Sequence, residues 1–214
     1  MLIRKPRNSP ALGNGTQGLD YWLGEGRSPM RRRNRRVIVH NIPYFITCRT
    51  LLGVGPPPIQ DLASAVLHAL SCLLEKWQCR PHAYVVMPDH WHALLTTSPP
   101  NDISRVMTSV KTQSALKVGR TVKGIGTIWQ PGFHDHVCRN EDDFFNALTY
   151  IHWNPVAAEL VASPEAWPWS SWYAYAEGGS PPIPTVPIGG SFDSRWAEWH
   201  RHPGPRAKWP RWLH

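Results

Sequence analysis

Two apolar runs joined by a very short connection place the tightest limit on the fold. Pro81 to Met87 and Trp91 to Thr97 are both strand-like, and the link between them turns at Pro88-Asp89. A parallel crossover needs a dozen or more residues, so these runs must pair antiparallel. Further strand material lies at Val37-Ile38-Val39 and at Tyr44 to Cys48, followed by a Gly/Pro turn from Gly53 to Pro58.

Helical periodicity fills the gaps between strands. Ile59 to Trp77 carries Leu62, Val66, Leu70 and Leu73-Leu74 at helical steps, and Ile103 to Val118 turns Val106, Val110 and Leu116 inward. Pro99-Pro100 separates strand from helix, and Gly119 to Gly126 is a linker. Asn140 caps a third helix with Glu141, Asp142 and Asp143 at its positive end and an apolar stripe at Phe144, Ala147, Leu148 and Ile151. Pro155 ends or kinks it. The plan is α+β, an antiparallel sheet with helices packed on one face.

A chain of 214 residues is long enough for one domain with tails. Residues 1–35, with Arg31, Arg32, Arg33 and Arg35, read as a flexible basic arm that continues into Arg36. Residues 36–175 form the domain, and 176–214 a Pro-rich, then basic and Trp-rich, irregular extension. Lys and Arg number 23 against 15 Asp and Glu, a net charge of +8, which favours a polyanionic partner, nucleic acid before membrane. Some of the 12 Trp must be core, since so many exposed rings would aggregate, and others are free to stack on bases.

Cys48, Cys72, Cys79 and Cys138 form no CxxC pair, and read as buried thiols of a reducing compartment. Met1 to Pro6 opens no long apolar leader, and no stretch approaches a spanning helix, so a cytoplasmic protein is expected.

The chemistry starts at His90-Trp91-His92. On a strand, alternate residues share a face, so both imidazoles are able to address one metal ion while Trp91 turns into the core. Paired histidines on one strand face also arise by accident, so position and a third donor matter. Asn154 is the best third donor, with His134, Asp135 and His136 as rivals. A mixed imidazole and carbonyl site suits Mn²⁺ better than Mg²⁺. Tyr150 lies four residues before Asn154, one helical turn away, where its phenol is either a nucleophile or a satisfied core tyrosine. His136 either handles protons and phosphate or is structural. Arg105, Lys111 and Lys117 on the second helix are available to a phosphate backbone.

Four blocks in order make the pattern specific: Ala83 to His92, Trp129 to His136, Tyr150 to Val156, and Trp167-Pro168-Trp169-Ser170-Ser171. They resemble the single-tyrosine HUH transposases, and within them the REP-associated tyrosine transposase branch, over roughly residues 36–175. The resemblance implies a ferredoxin-like or RRM-like fold, single-stranded or hairpin DNA as partner, and Mg²⁺ or Mn²⁺ held by His90, His92 and Asn154. It implies attack by Tyr150 to leave a 5′-phosphotyrosine and a free 3′-OH, and a monomer in preference to a homodimer. Two departures stand out: Trp91 is larger than the usual middle residue, and Glu159 stands where relatives often place Gly. The competing readings are a non-catalytic nucleic-acid binder of the same fold and a phosphodiesterase that uses water.

Overall fold

The structure is a computed structural model and describes residues 38–51, 55–124, 126–175, 200 and 209–213. The chain divides into Met1–Val37 and Ile38–His214, and every described residue belongs to the second unit. The basic arm with Arg31, Arg32, Arg33, Arg35 and Arg36, the expected strand residue Val37, and most of the Trp-rich tail lie outside the described residues.

Four strands, β1 (Pro43–Arg49), β2 (Arg80–Val86), β3 (His90–Thr96) and β4 (His134–Val137), form one sheet in the order β2-β3-β1-β4. Every pairing is antiparallel. The helices are α1 (Ile59–Ser71), α2 (Leu73–Trp77), α3 (Ile103–Thr121) and α4 (Glu141–Ala157). Up to β4, the succession of strands and crossover helices is the ferredoxin-like βαββαβ plan. The β2–β3 hairpin closes through Met87 N–H donating to His90 O at 2.8 Å.

Alternation along the strands builds two cores. Tyr44, Ile46 and Cys48, Tyr84 and Val86, and Trp91, Ala93 and Leu95 pack with Leu62, Val66 and Leu70 of α1 and Val106, Met107 and Val110 of α3. Phe45, Ala83, Val85 and Leu94 point the other way, onto Phe144, Ala147, Leu148, Tyr150 and Ile151 of α4. The expectation of helices on one face is therefore corrected: α1 and α3 cover one face, and α4 covers the opposite one. Strands β2 and β3 bear this out, since their residues are buried at nearly every position, as in a sheet covered on both sides.

Other differences are local. The helix expected over Ile59 to Trp77 breaks at Cys72 into α1 and α2. Ile38 and Val39 are not strand; Val39 is instead held by Tyr44 Oη, which accepts from its N–H at 2.6 Å and donates to its carbonyl at 2.9 Å. Leu116 is 58% exposed, and Val118 is buried in its stead. Phe133 to Val137, given no element by periodicity, supplies β4. Beyond α4, Trp169–Ser171 runs along the outer edge of β2, with Val86 N–H donating to Trp169 O at 2.8 Å and Ser171 N–H to Tyr84 O at 3.0 Å, so that edge is partly covered.

α4 is fixed at both ends. Asn140 Oδ1 accepts from Asp143 N–H at 2.7 Å, while Asp143 Oδ2 accepts from Arg139 N–H at 3.0 Å, a reciprocal cap. Pro155 sits inside the last turn without ending it, so Tyr150 and Asn154 keep their one-turn spacing. Glu159, just past the helix, adopts φ 59, the left-handed region that glycine enters at no steric cost. Asn140→Ala should lower stability by about 1 kcal/mol in urea unfolding; an unchanged midpoint would show that the cap does not anchor the helix.

Candidate active site

The site begins with the pleat of β3. Trp91 is fully buried on the α1/α3 side, which leaves His90 and His92 on the α4 side with ring centroids 4.7 Å apart. Each ring is oriented through Nδ1. His90 Nδ1 lies 2.6 Å from Asp89 Oδ1, and His92 Nδ1 lies 2.9 Å from Oγ1 of Thr47, its cross-strand partner. The Ile46 backbone also lies close enough to favour the protonated His92 ring slightly, against the larger effect of burial. The Asp89 carboxylate only accepts, so His90 donates through Nδ1–H. With the same tautomer in His92, donating to Thr47 Oγ1, both Nε2 lone pairs point to a ligand, as in metal-ligating histidines oriented by a neighbouring carboxylate or hydroxyl.

His92 Nε2 is buried and has no hydrogen-bond partner. Leaving such a nitrogen unpaired costs about 1–3 kcal/mol, which a bound cation would recover. The Asn154 side chain stands close enough to His90 to favour its protonated form slightly, so its amide lies beside the pair. Among the described residues no three His, Cys, Asp or Glu gather into a cluster, so His134, Asp135 and His136 do not complete a set with His90 and His92. The donor set that fits a divalent cation is two imidazole nitrogens and the Asn154 carbonyl oxygen.

The imidazoles are kept neutral. Burial pushes His90 below the ordinary histidine value, with the Asp89 carboxylate opposing it. Burial pushes His92 well below that value, and the neighbouring positive charges of His90 and Arg49 add to the effect. A neutral ring is the form that binds metal.

α4 brings the phenol to the same patch. The Tyr150 ring lies edge-on to His92 at 5.3 Å and to Phe45 at 5.8 Å, and is 7% exposed. Trp209, from the C-terminal segment, stands edge-on to Tyr150 at 4.7 Å. His136 faces the same side of the sheet, paired in register with Phe45. It is therefore one ring removed from Tyr150. It stacks on Trp212 at 3.8 Å, and its Nε2 is 3.7 Å from Asp143 Oδ2. Burial lowers the His136 pKa, and Asp143 opposes the shift.

The basic residues of α3 stand elsewhere. α3 packs on the face of the sheet opposite α4, so Arg105, Lys111 and Lys117 belong to a different layer from Tyr150. Lys111 Nζ donates to Gln130 O and Gly132 O, each at 2.6 Å, which pins the 130–132 loop and leaves one of its three donor positions for a phosphate. Residues that sequence reasoning missed are Thr47, Asp89, Trp209 and Trp212. Asp89 was findable as the neighbour of His90; Thr47 depends on strand register, which the sequence does not display.

Residues 59–154 match the family described as transposase IS200 like. A REP-associated tyrosine transposase of Escherichia coli is 32% identical over 103 residues, which are 48% of this chain and 59% of that protein's length. A solved structure of a REP-associated tyrosine transposase bound to a REP hairpin shares the fold with a TM-score of 0.58, at 24% identity, over 73% of this chain and 92% of that one.

Two outcomes follow from the geometry. Thr47→Val removes the group that orients His92 and should weaken Mn²⁺ binding by about 10–100-fold in calorimetry, whereas undiminished affinity would show that Thr47 orients nothing. His92 and His152 are buried with pKa values depressed well below 6.5. Below pH 6.5 the unfolded chain gains protons that the native state refuses, so stability is full above that pH and falls beneath it. Unfolding free energy from urea titration should stay level from about pH 7.5 to 6.5 and fall below it at up to about 1.4 kcal/mol per pH unit for each ring; a flat profile down to about pH 5.5 would contradict the assigned burial.

Proposed function

From the kinship of this chain with the IS200-like transposases, carried by residues 59–154, we propose that it is a single-tyrosine nuclease and strand transferase acting on single-stranded DNA beside REP-type hairpins. The observation that carries the reading is the Tyr150 ring 5.3 Å from His92, whose Nε2 has no hydrogen-bond partner among the described residues.

In this reading His90, His92 and Asn154 hold Mn²⁺ or Mg²⁺. When bound, the ion supplies charge neutralisation at the scissile phosphate. A free phenol, with a pKa near 10, is a poor nucleophile at neutral pH, so it needs a cation or base nearby. Tyr150 Oη forms a bond to phosphorus as the P–O3′ bond breaks. The phenolic proton leaves to a base, for which His136, on the same face of the sheet, is the candidate, and the 3′ oxygen gains a proton. The products are a 5′-phosphotyrosine and a 3′-OH. The ester keeps the bond energy, so a second 3′-OH rejoins the strand without ATP.

The histidines and the tyrosine belong to one chain, which favours a monomer over a homodimer. Residues 36–175 are the nuclease domain in this reading. The arm of residues 1–35 with Arg36, together with Arg105, Lys111 and Lys117, supplies backbone contacts to hairpin DNA, and the tail of 176–214 adds stacking rings. No helix among the described residues is long and apolar enough to cross a membrane.

Incubation with a labelled hairpin-bearing single strand and Mn²⁺ should give a covalent protein–DNA adduct. Tyr150→Phe should abolish the adduct while hairpin binding persists. An adduct that survives the substitution, or strand cleavage with no adduct in the unaltered chain, would overturn the tyrosine mechanism.

A further inference from the structure

Arg49 ends β1 directly opposite His90 in the β1–β3 register. Residues facing each other across an antiparallel pair project from the same face with Cβ atoms about 4.5–5.5 Å apart. The neighbouring pair on that face verifies the geometry, since Thr47 and His92 touch at 2.9 Å. Arg49 therefore flanks the histidine pair from the β1 side, while α4 brings Asn154 and Tyr150 to the same pair.

Its backbone is fixed. Gln130 N–H donates to Arg49 O at 3.0 Å, and Thr50 N–H to Asp89 O at 2.8 Å, so a rigid strand end presents the side chain. The side chain is exposed, and its guanidinium enters no ion pair or hydrogen bond among the described residues. Its charge is nonetheless felt within the site, where it helps to depress the pKa values of Asp89, His90 and His92.

Arg49, partly offset by the Asp89 carboxylate but in no ion pair among the described residues, stands in electrostatic conflict with a cation on the two imidazoles. The guanidinium repels the cation that the imidazoles would bind. One phosphate held between them resolves the conflict, because each positive group then faces an anionic oxygen.

Resting on the nuclease reading, the geometry points to Arg49 as a further catalytic residue, a guanidinium clamp on the non-bridging oxygens of the scissile phosphate. Arg49 keeps its proton throughout. The Tyr150 Oη–P bond forms, the P–O3′ bond breaks, and the charge that accumulates on the equatorial oxygens meets the fork of N–H donors.

The test uses the full chain, Mn²⁺ and a labelled hairpin-bearing single strand, with Arg49→Ala and Arg49→Lys. Single-turnover adduct formation by the alanine variant should slow by about 10²–10³-fold, the usual loss for one transition-state donor, and the lysine variant should recover part of it. Hairpin affinity should stay near that of the unaltered chain. Mn²⁺ binding to the DNA-free alanine variant should tighten, because a repulsive charge has gone. A purely structural arginine would give the opposite sign in that last measurement.

Adduct formation at the original rate overturns the assignment. So does loss of hairpin affinity in step with loss of adduct, or weaker Mn²⁺ binding without DNA. Absence of any adduct from the unaltered chain overturns the nuclease reading as a whole, and that control separates the two failures.

Discussion

The candidate site hangs on the pleat of β3. Trp91 is locked into the core beneath α1 and α3, and that burial forces His90 and His92 to the opposite side. β3 lies between β2 and β1, so its register is held from both edges. A slip of one residue would exchange the faces, driving the indole against α4 and the histidines against α1 and α3. The departure from a smaller middle residue at Trp91 therefore strengthens the arrangement, since a large ring has the most apolar area to lose by turning outward.

The second sheet face exists for the same geometry. α4 covers Phe45, Ala83, Val85 and Leu94, and this packing sets Tyr150 against His92 and Asn154 against His90. Burial strips water from the imidazoles and keeps them neutral; the Asp89 and Thr47 contacts hold them through Nδ1. What remains among the described residues is the buried, unpartnered Nε2 of His92, beside a phenol and an exposed arginine. Together they are complementary to a cation and a phosphate.

Much of this was legible in the sequence. The Pro88-Asp89 connection dictated the hairpin, and Asn140 with its acidic neighbours marked the start of α4. Period-2 spacing set His90 and His92 on one face, as the ring contact at 4.7 Å reflects. Long-range pairing was not legible. Thr47 and Arg49 reach the site only through the register of β1 against β3, and no local pattern states a register. β4 escaped notice because His134-Asp135-His136-Val137 has no apolar alternation. The two-sided cover of the sheet was not legible because polar His82, His90 and His92 interrupt the apolar residues of β2 and β3, although all but the strand-starting residues are buried.

Electron spin-echo modulation of Mn²⁺ bound to the DNA-free protein addresses the central claim most directly, because it detects nitrogen in the first coordination sphere. Convergence of His90 and His92 on one ion predicts modulation from two imidazole nitrogens, falling to one in His92→Ala. A fully aquated Mn²⁺ signal, unaltered by that substitution, would contradict the account.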